Sequence, residues 1–193
     1  MALKIAVFIS GGGTNLQAVI DACKAGSLKA EVAAVISNNS KAYGLERARS
    51  AGIDAYHISA KVYPDKEAYL DAMLQIMKNH EIDLIVLAGY MKLLPSKLVK
   101  QYYGRIINIH PALLPKYGGK GMYGLNVHQA VIKSGDKYSG ATVHLVDERY
   151  DTGPILIQRR VPVLPDDTPE TLAARVLEIE HQILPLAVAL FIK

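Results

Sequence analysis

The sequence predicts an α/β protein: an open, mostly parallel sheet with helices on both faces. Three observations predict it. Strand-like and helix-like stretches alternate from the N-terminus. Several of the strand-like stretches are nearly all apolar, as strands covered on both sides are. Farther along, two β-like stretches lie close enough in sequence to pair antiparallel. The chain has 193 residues, half of them hydrophobic, enough for one core and one domain.

The elements follow in order. Lys4–Ser10 is an apolar run that ends in Gly11-Gly12-Gly13. Thr14–Ala25 places Leu16, Val19, Ile20 and Cys23 on one helical face, and Gly26 stops it. Glu31–Ser37 reads as a strand, Leu45–Ala51 as a helix closed by Gly52, and Ile53–Ile58 as a short strand. Lys66–Asn79 is a helix that aligns Tyr69, Leu70, Met73, Leu74 and Met77, and Asp83–Ala88 is a fourth strand. This βαβαβαβ order gives a twisted, Rossmann-like sheet. Beyond it come a strand at Arg105–Ile109, a loop with four glycines at Gly118–Gly124, and a helix at Leu125–Lys133. Thr142–Val146 and Ile155–Val163 form the expected antiparallel pair in the C-terminal half. Thr168 is the N-cap of a last helix, with Pro169 at its first position and a possible bend at Pro185.

Composition excludes several classes of function. Charged residues are 21% of the chain, too ordinary a balance for disorder. A net charge of +4 with scattered Lys and Arg suits small anionic ligands better than nucleic acid. Cys23 is the single cysteine, which rules out an intramolecular disulfide and points to packing in a reducing compartment. The opening MALKIAVFIS is too short for a membrane span and lacks a signal-cleavage pattern, so it reads as the first strand of a cytoplasmic protein.

SGGGTNLQ follows a strand and opens a helix. Free N–H groups at such a start bind anions, and glycine admits close approach. The glycines either make only a tight turn or form a monophosphate site, with Thr14 and Asn15 adding side-chain donors. A nicotinamide cofactor fits poorly: position 16 is Leu, and the second strand ends in Ser37-Asn38-Asn39 without a ribose-binding acid.

Ligands of open parallel sheets bind beyond the carboxyl ends of the strands. Gly11–Asn15, Gly89–Leu94 and the pair Asn108/His110 all fall at such ends. In RIINIHPALLP, Asn108 and His110 stand two residues apart, on one face of a strand. His110 is either a satisfied core histidine or one member of a pair that binds an oxyanion and moves a proton. Asp151, in the tight Asp151-Thr152-Gly153-Pro154 loop, is either a solvated turn residue or a third partner. A carboxylate beside the imidazole would raise its pKa. His110, His128 and His144 lack short ligand spacing, so no metal site is expected. Without a catalytic cysteine or elbow serine, covalent acyl chemistry is not expected either.

The combination of ISGGGTNLQA, VLAGYMKLL, NIHPALLPKYGGKG and DTGPILIQ resembles the folate-dependent formyltransferases and, within them, the phosphoribosylglycinamide formyltransferases (GAR transformylases). The resemblance runs from about Lys4 to about Leu186. It implies transfer of a formyl group from 10-formyltetrahydrofolate, a co-substrate, to the amine of GAR (5-phosphoribosylglycinamide) through a tetrahedral intermediate, without a metal. This is a step of de novo purine synthesis. By matched position it implies Asn108, His110 and Asp151 as the catalytic set. Gly13, Thr14 and Asn15 would hold the GAR phosphate, and Glu180 the ribose. Met91, Lys92, Leu93 and Leu94 would line the pterin site with Asn108, and Lys66 stands near the folate tail. Thr142, where some relatives have Ser, and His128 would be supporting residues. Asn126 departs from a common His, and the KYGGKGMYG loop is longer than in some relatives. The implied organisation is one formyltransferase domain over 1–193, with a phosphate-binding half at 1–100 and a catalytic and folate-binding half at 101–193. The implied partners are the two small substrates, with no nucleic acid or membrane, in a cytoplasmic monomer or homodimer.

Three rivals remain at this point. Methionyl-tRNA formyltransferases share the catalytic elements but carry a second domain. Formyltetrahydrofolate hydrolases share them too, usually with a regulatory domain. A non-catalytic nucleotide-binding module explains the glycine loop but gives Asn108, His110 and Asp151 no task.

Overall fold

A computed structural model describes residues 2–192. The strands are β1 (Leu3–Ile9), β2 (Ala30–Ser37), β3 (Asp54–His57), β4 (Leu84–Leu87), β5 (Ile106–His110), β6 (Tyr138–Leu145) and β7 (Ile155–Pro162). The helices are α1 (Thr14–Lys24), α2 (Tyr43–Ser50), α3 (Lys66–Asn79), α4 (Ser96–Gln101), α5 (Leu125–Ser134) and α6 (Pro169–Ala189). The strands form one sheet in the order β3-β2-β1-β4-β5-β6-β7. Pairing is parallel from β3 through β5 and antiparallel from β5 to β7. The fold is the open, mostly parallel sheet that the alternating pattern predicts.

Period-two alternation along β1 separates two cores. Ile5, Val7 and Ile9 pack with Leu16 and Val19 of α1, Leu45 of α2 and Val176 and Leu184 of α6. Ala6 and Phe8 point the other way, to Met73 and Met77 of α3 and Leu98 and Val99 of α4. Helices therefore cover both faces, which explains why β1 and β4 are buried and apolar on both sides. Cys23 packs against the first of these cores as a small apolar side chain.

The chain runs outward from β1 to β3, then returns through α3 to β4 on the other side of β1. The direction of winding reverses between β1 and β4, where open sheets leave a crevice at the carboxyl ends of their strands. Two details differ from the sequence expectation. A helix, α4, follows Pro95 where none is read from the pattern. β6 begins at Tyr138, four residues before the expected start. Pro185 lies inside α6, which continues to Ala189. Among the described residues no helix is long and apolar enough to cross a membrane.

Candidate active site

A cavity of about 720 Å³ opens at the carboxyl end of the sheet. Segments from five places line it: Asn15, Gly89–Leu94, Asn108–Pro111, Gly119–Leu125 with His128, and Val146–Asp151. Glu180 of α6 closes one end. Asn15, Met91, Lys92, Leu93, Leu94, Asn108, His110, His128, Asp151 and Glu180 thus share one cavity. Gly13, Thr14, Lys66 and Thr142 lie outside its lining. Lys66 is exposed at the start of α3. Thr142 is fully buried and donates to the Ala112 carbonyl (2.6 Å) while accepting from Leu114 N–H and Gln158, which ties down the turn after His110.

One end of the cavity is built by β5 and β6. Their antiparallel register sets Asn108 opposite His144 and His110 opposite Thr142. His144 Nδ1 lies 2.8 Å from the Leu145 carbonyl, which can only accept, so Nδ1 carries the proton. Nε2 of His144 then accepts from the Asn108 amide at 3.1 Å. That bond orients Asn108 and leaves its second N–H free to donate to a ligand. His110 is held by the same logic. Its Nε2 donates to the Tyr117 carbonyl at 2.8 Å, so Nδ1 is the open nitrogen. Nδ1 lies 3.7 Å from Asp151 Oδ2, beyond hydrogen-bond reach but within strong Coulomb range.

Asp151 occupies the left-handed region at φ 55°, a conformation that Asp tolerates better than most residues. It accepts from Gly119 N–H at 2.8 Å and lies 3.5 Å from His144 Nε2. Burial pushes its carboxyl pKa up, but the Gly119 N–H and the charge that His144 and His110 carry when protonated outweigh that and hold it below the usual range. His110 goes the opposite way to the sequence expectation. Burial lowers its pKa more than Asp151 and the Tyr117 carbonyl raise it, and His144 lowers it further. The imidazole is 4% exposed, and lost hydration weighs more than a carboxylate outside bonding distance. His128 is also buried, with Nδ1 lacking a partner among the described residues, and burial lowers its pKa.

At the other end, Asn15 Nδ2 donates to Glu180 Oε2 at 2.5 Å. Both residues are buried, and burial pushes the Glu180 pKa up to about 7 against the pull of Asn15. Asn15 therefore faces Glu180, and the glycine loop offers backbone instead. Gly13, at φ 71°, is the N-cap of α1, and no side chain caps the helix. A Cβ at Gly13 would sit 2.7 Å from Gly44 Cα, so this turn demands glycine for close approach as well as for its dihedral. Arg47 of α2 pins the loop, its Nε donating to the Gly12 carbonyl at 2.8 Å.

Sequence reasoning missed several parts of this arrangement. His144 was visible only as a possible metal ligand, because its pairing with Asn108 depends on strand register. The Tyr117 carbonyl and Gly119 N–H are backbone groups with no compositional signature. Ser10 accepts from Met91 N–H at 2.8 Å and so ties the cavity wall to the end of β1. A polar residue closing an apolar strand was the only available hint.

Known proteins share both sequence and fold with this chain. Residues 3–188 match the formyl transferase family. A chloroplastic phosphoribosylglycinamide formyltransferase of Vigna unguiculata is 49% identical over 93% of the chain, which spans 58% of that protein's length. The phosphoribosylglycinamide formyltransferase of Haemophilus influenzae is 47% identical, over 97% of this chain and 86% of its own. The crystal structure of phosphoribosylglycinamide formyltransferase from Brucella melitensis superposes with a TM-score of 0.91 at 46% identity, over 99% of this chain and 96% of that one. Agreement that runs from the first strand to the last helix, in sequence and in three dimensions, means that this chain belongs to the formyl transferase family.

Proposed function

We propose that the chain is a phosphoribosylglycinamide formyltransferase. It moves the formyl group of 10-formyltetrahydrofolate onto the amine of GAR, giving formyl-GAR and tetrahydrofolate in de novo purine synthesis. One observation carries the reading. Asn108, His110 and Asp151 converge within a single cavity that also holds an apolar wall at Met91–Leu94 and a buried polar pair, Asn15–Glu180.

The two ends suit the two substrates. The uncapped start of α1 at Gly13–Asn15 offers N–H groups to the GAR phosphate, with the Thr14 hydroxyl beside them. Glu180 accepts the ribose hydroxyls. Met91, Leu93 and Leu94 receive the flat pterin ring, and Lys92 at the rim, with Lys66 farther out, is assigned to the anionic folate tail. Residues 1–100 then supply the phosphate end, and 101–193 supply the reacting groups.

The amine nitrogen attacks the formyl carbon, a C–N bond forms, and the carbonyl electron pair moves onto oxygen. The free N–H of Asn108 donates to that oxyanion. His110 rests neutral and takes the amine proton at Nδ1. The imidazolium formed keeps the Tyr117 carbonyl on Nε2 and gains the Asp151 carboxylate beside Nδ1. Collapse restores the carbonyl and breaks the bond to the folate nitrogen, which receives the proton from His110. His144 keeps the Asn108 amide aimed throughout, His128 backs the imidazole, and Thr142 fixes the turn behind it. Holding both substrates in one cavity supplies the orientation.

The test mixes purified protein with 10-formyltetrahydrofolate and follows tetrahydrofolate release with and without GAR. Release that requires GAR supports the reading. Equal release without GAR means a hydrolase, and no release means a binding module; either result overturns it.

A further inference from the structure

We propose that Tyr117 is a positioning residue: its side chain, anchored outside the cavity, holds its own carbonyl against His110 and so sets which imidazole nitrogen meets the substrate. The proposal rests on the catalytic reading of His110 given above.

The backbone at Tyr117 is unusual. Among the described residues, three that are not glycine lie at positive φ, and two of them, Tyr117 at 58° and Asp151 at 55°, meet at His110. Asp is at home there, but an aromatic residue is not. Such a conformation persists only where the surroundings hold it. At Tyr117 the hold comes from the far end of the side chain. Its hydroxyl donates to Asp136 Oδ2 at 2.6 Å and lies 2.5 Å from Ser134 Oγ. Lys116 pairs with the same Asp136 oxygen at 2.5 Å, and its ammonium stands 5.3 Å from the centre of the tyrosine ring. Ser134 in turn donates to the Val131 carbonyl inside α5. The phenol is thereby tied to the carboxyl end of α5, while the carbonyl of the same residue accepts the His110 Nε2 proton.

The surroundings of His110 leave this task to Tyr117. Asp151 approaches from the β6–β7 loop at Nδ1, His144 from β6, and His128 from α5. None of these supplies an acceptor for Nε2. If the Tyr117 carbonyl swung away, the proton could settle on Nδ1, facing Asp151, and the open nitrogen would point away from the substrate. Gly119, two residues on, donates to Asp151, so one short segment sets both members of the pair. A side chain at Gly118 would meet Leu114 at 2.7 Å and the Asp151 Cβ at 3.2 Å, which keeps that segment close.

Two variants test the proposal, both outside the cavity lining: Tyr117→Phe, which keeps the ring and removes the anchor, and Asp136→Ala, which removes the acceptor and keeps the tyrosine. Proton–nitrogen correlation spectra of nitrogen-labelled protein report the His110 tautomer without any substrate. The native chain should show the proton on Nε2. Both variants should show a mixture of tautomers and a lower His110 titration midpoint. In both, kcat should fall about fivefold, the net worth of one hydrogen bond, while KM for GAR holds. Should Tyr117→Phe fail to fold, Asp136→Ala decides. An unchanged tautomer and midpoint overturn the proposal, even if kcat or thermal stability drops, because the anchor would then be only structural. Since the tautomer is read without substrates, a native chain that fails to transfer formyl groups would sink the functional reading and leave this measurement intact.

Discussion

At the scale of the residue, His110 is where burial and charge compete. A neighbouring carboxylate alone would make the imidazole a standing cation, as the sequence suggests. In the folded chain the ring is 4% exposed, and desolvation lowers its pKa below the ordinary histidine value. In the proposed mechanism the resting group is then a neutral base that becomes a cation only after it takes the amine proton. This fixes the sign of the pH dependence. Activity should hold through neutrality and fall as pH drops through the depressed pKa, because protonation removes the base. A resting imidazolium would give the reverse, with activity lost as pH rises. His110→Ala should abolish that acid limb and lower kcat by about 10²–10⁴, the usual scale for a removed general base. Calorimetry should still detect GAR binding, since the phosphate end is untouched. Near-normal turnover in this variant would take His110 out of the chemistry.

At the scale of the element, legibility follows the range of the interaction. The first four strands are legible as short apolar-rich runs, and α1, α2 and α3 by their own helical periods, the first two with stops at Gly26 and Gly52. α4 is only six residues long and offers too few turns for a period to show. The extra residues of β6, Tyr138–Ala141, include Ser139 and Gly140, and they become strand only through pairing with β7. The site divides in the same way. Asn108 and His110 share a face by local geometry, so their partnership can be read from the sequence. His144 reaches Asn108 through register, and Arg47 reaches Gly12 across two connections. Arg47 gives this scale its prediction. Its guanidinium braces the loop that caps α1 and adds positive charge there. Arg47→Ala should raise KM for GAR about fivefold to tenfold, the net worth of one hydrogen bond at an exposed site, and leave KM for the folate unchanged. Equal rises in both would mean that the loop serves the whole cavity rather than the phosphate.

At the scale of the molecule, α6 closes the fold and also delivers a carboxyl group to the cavity. Glu180 sits among buried residues of the last helix and meets Asn15 from the start of the first, 165 positions away. Among the described residues Asn15 is its one hydrogen-bond partner, and burial raises its pKa to about 7 against 4.5 for a free glutamate. The folded state therefore holds a proton that the unfolded chain releases. Stability from this group is fully present below pH 4.5, declines as pH rises, and is lost above about 7. The difference amounts to about 3 kcal/mol at most. The native melting curve alone will not display it. His110, His128 and His181 all have lowered pKa values, so they add stability as pH rises over part of the same range. The comparison with Glu180→Gln isolates it, because the amide keeps the shape and cannot ionise. Denaturant unfolding of both proteins should show the variant gaining on the native chain steadily from pH 4.5 to 7 and levelling off beyond. Saturating GAR should shrink that gap in the native protein, since ribose hydroxyls that donate to the carboxylate favour its ionised form. A gap that does not change with pH would mean that Glu180 is already ionised in the fold, held by solvent rather than by its neighbours.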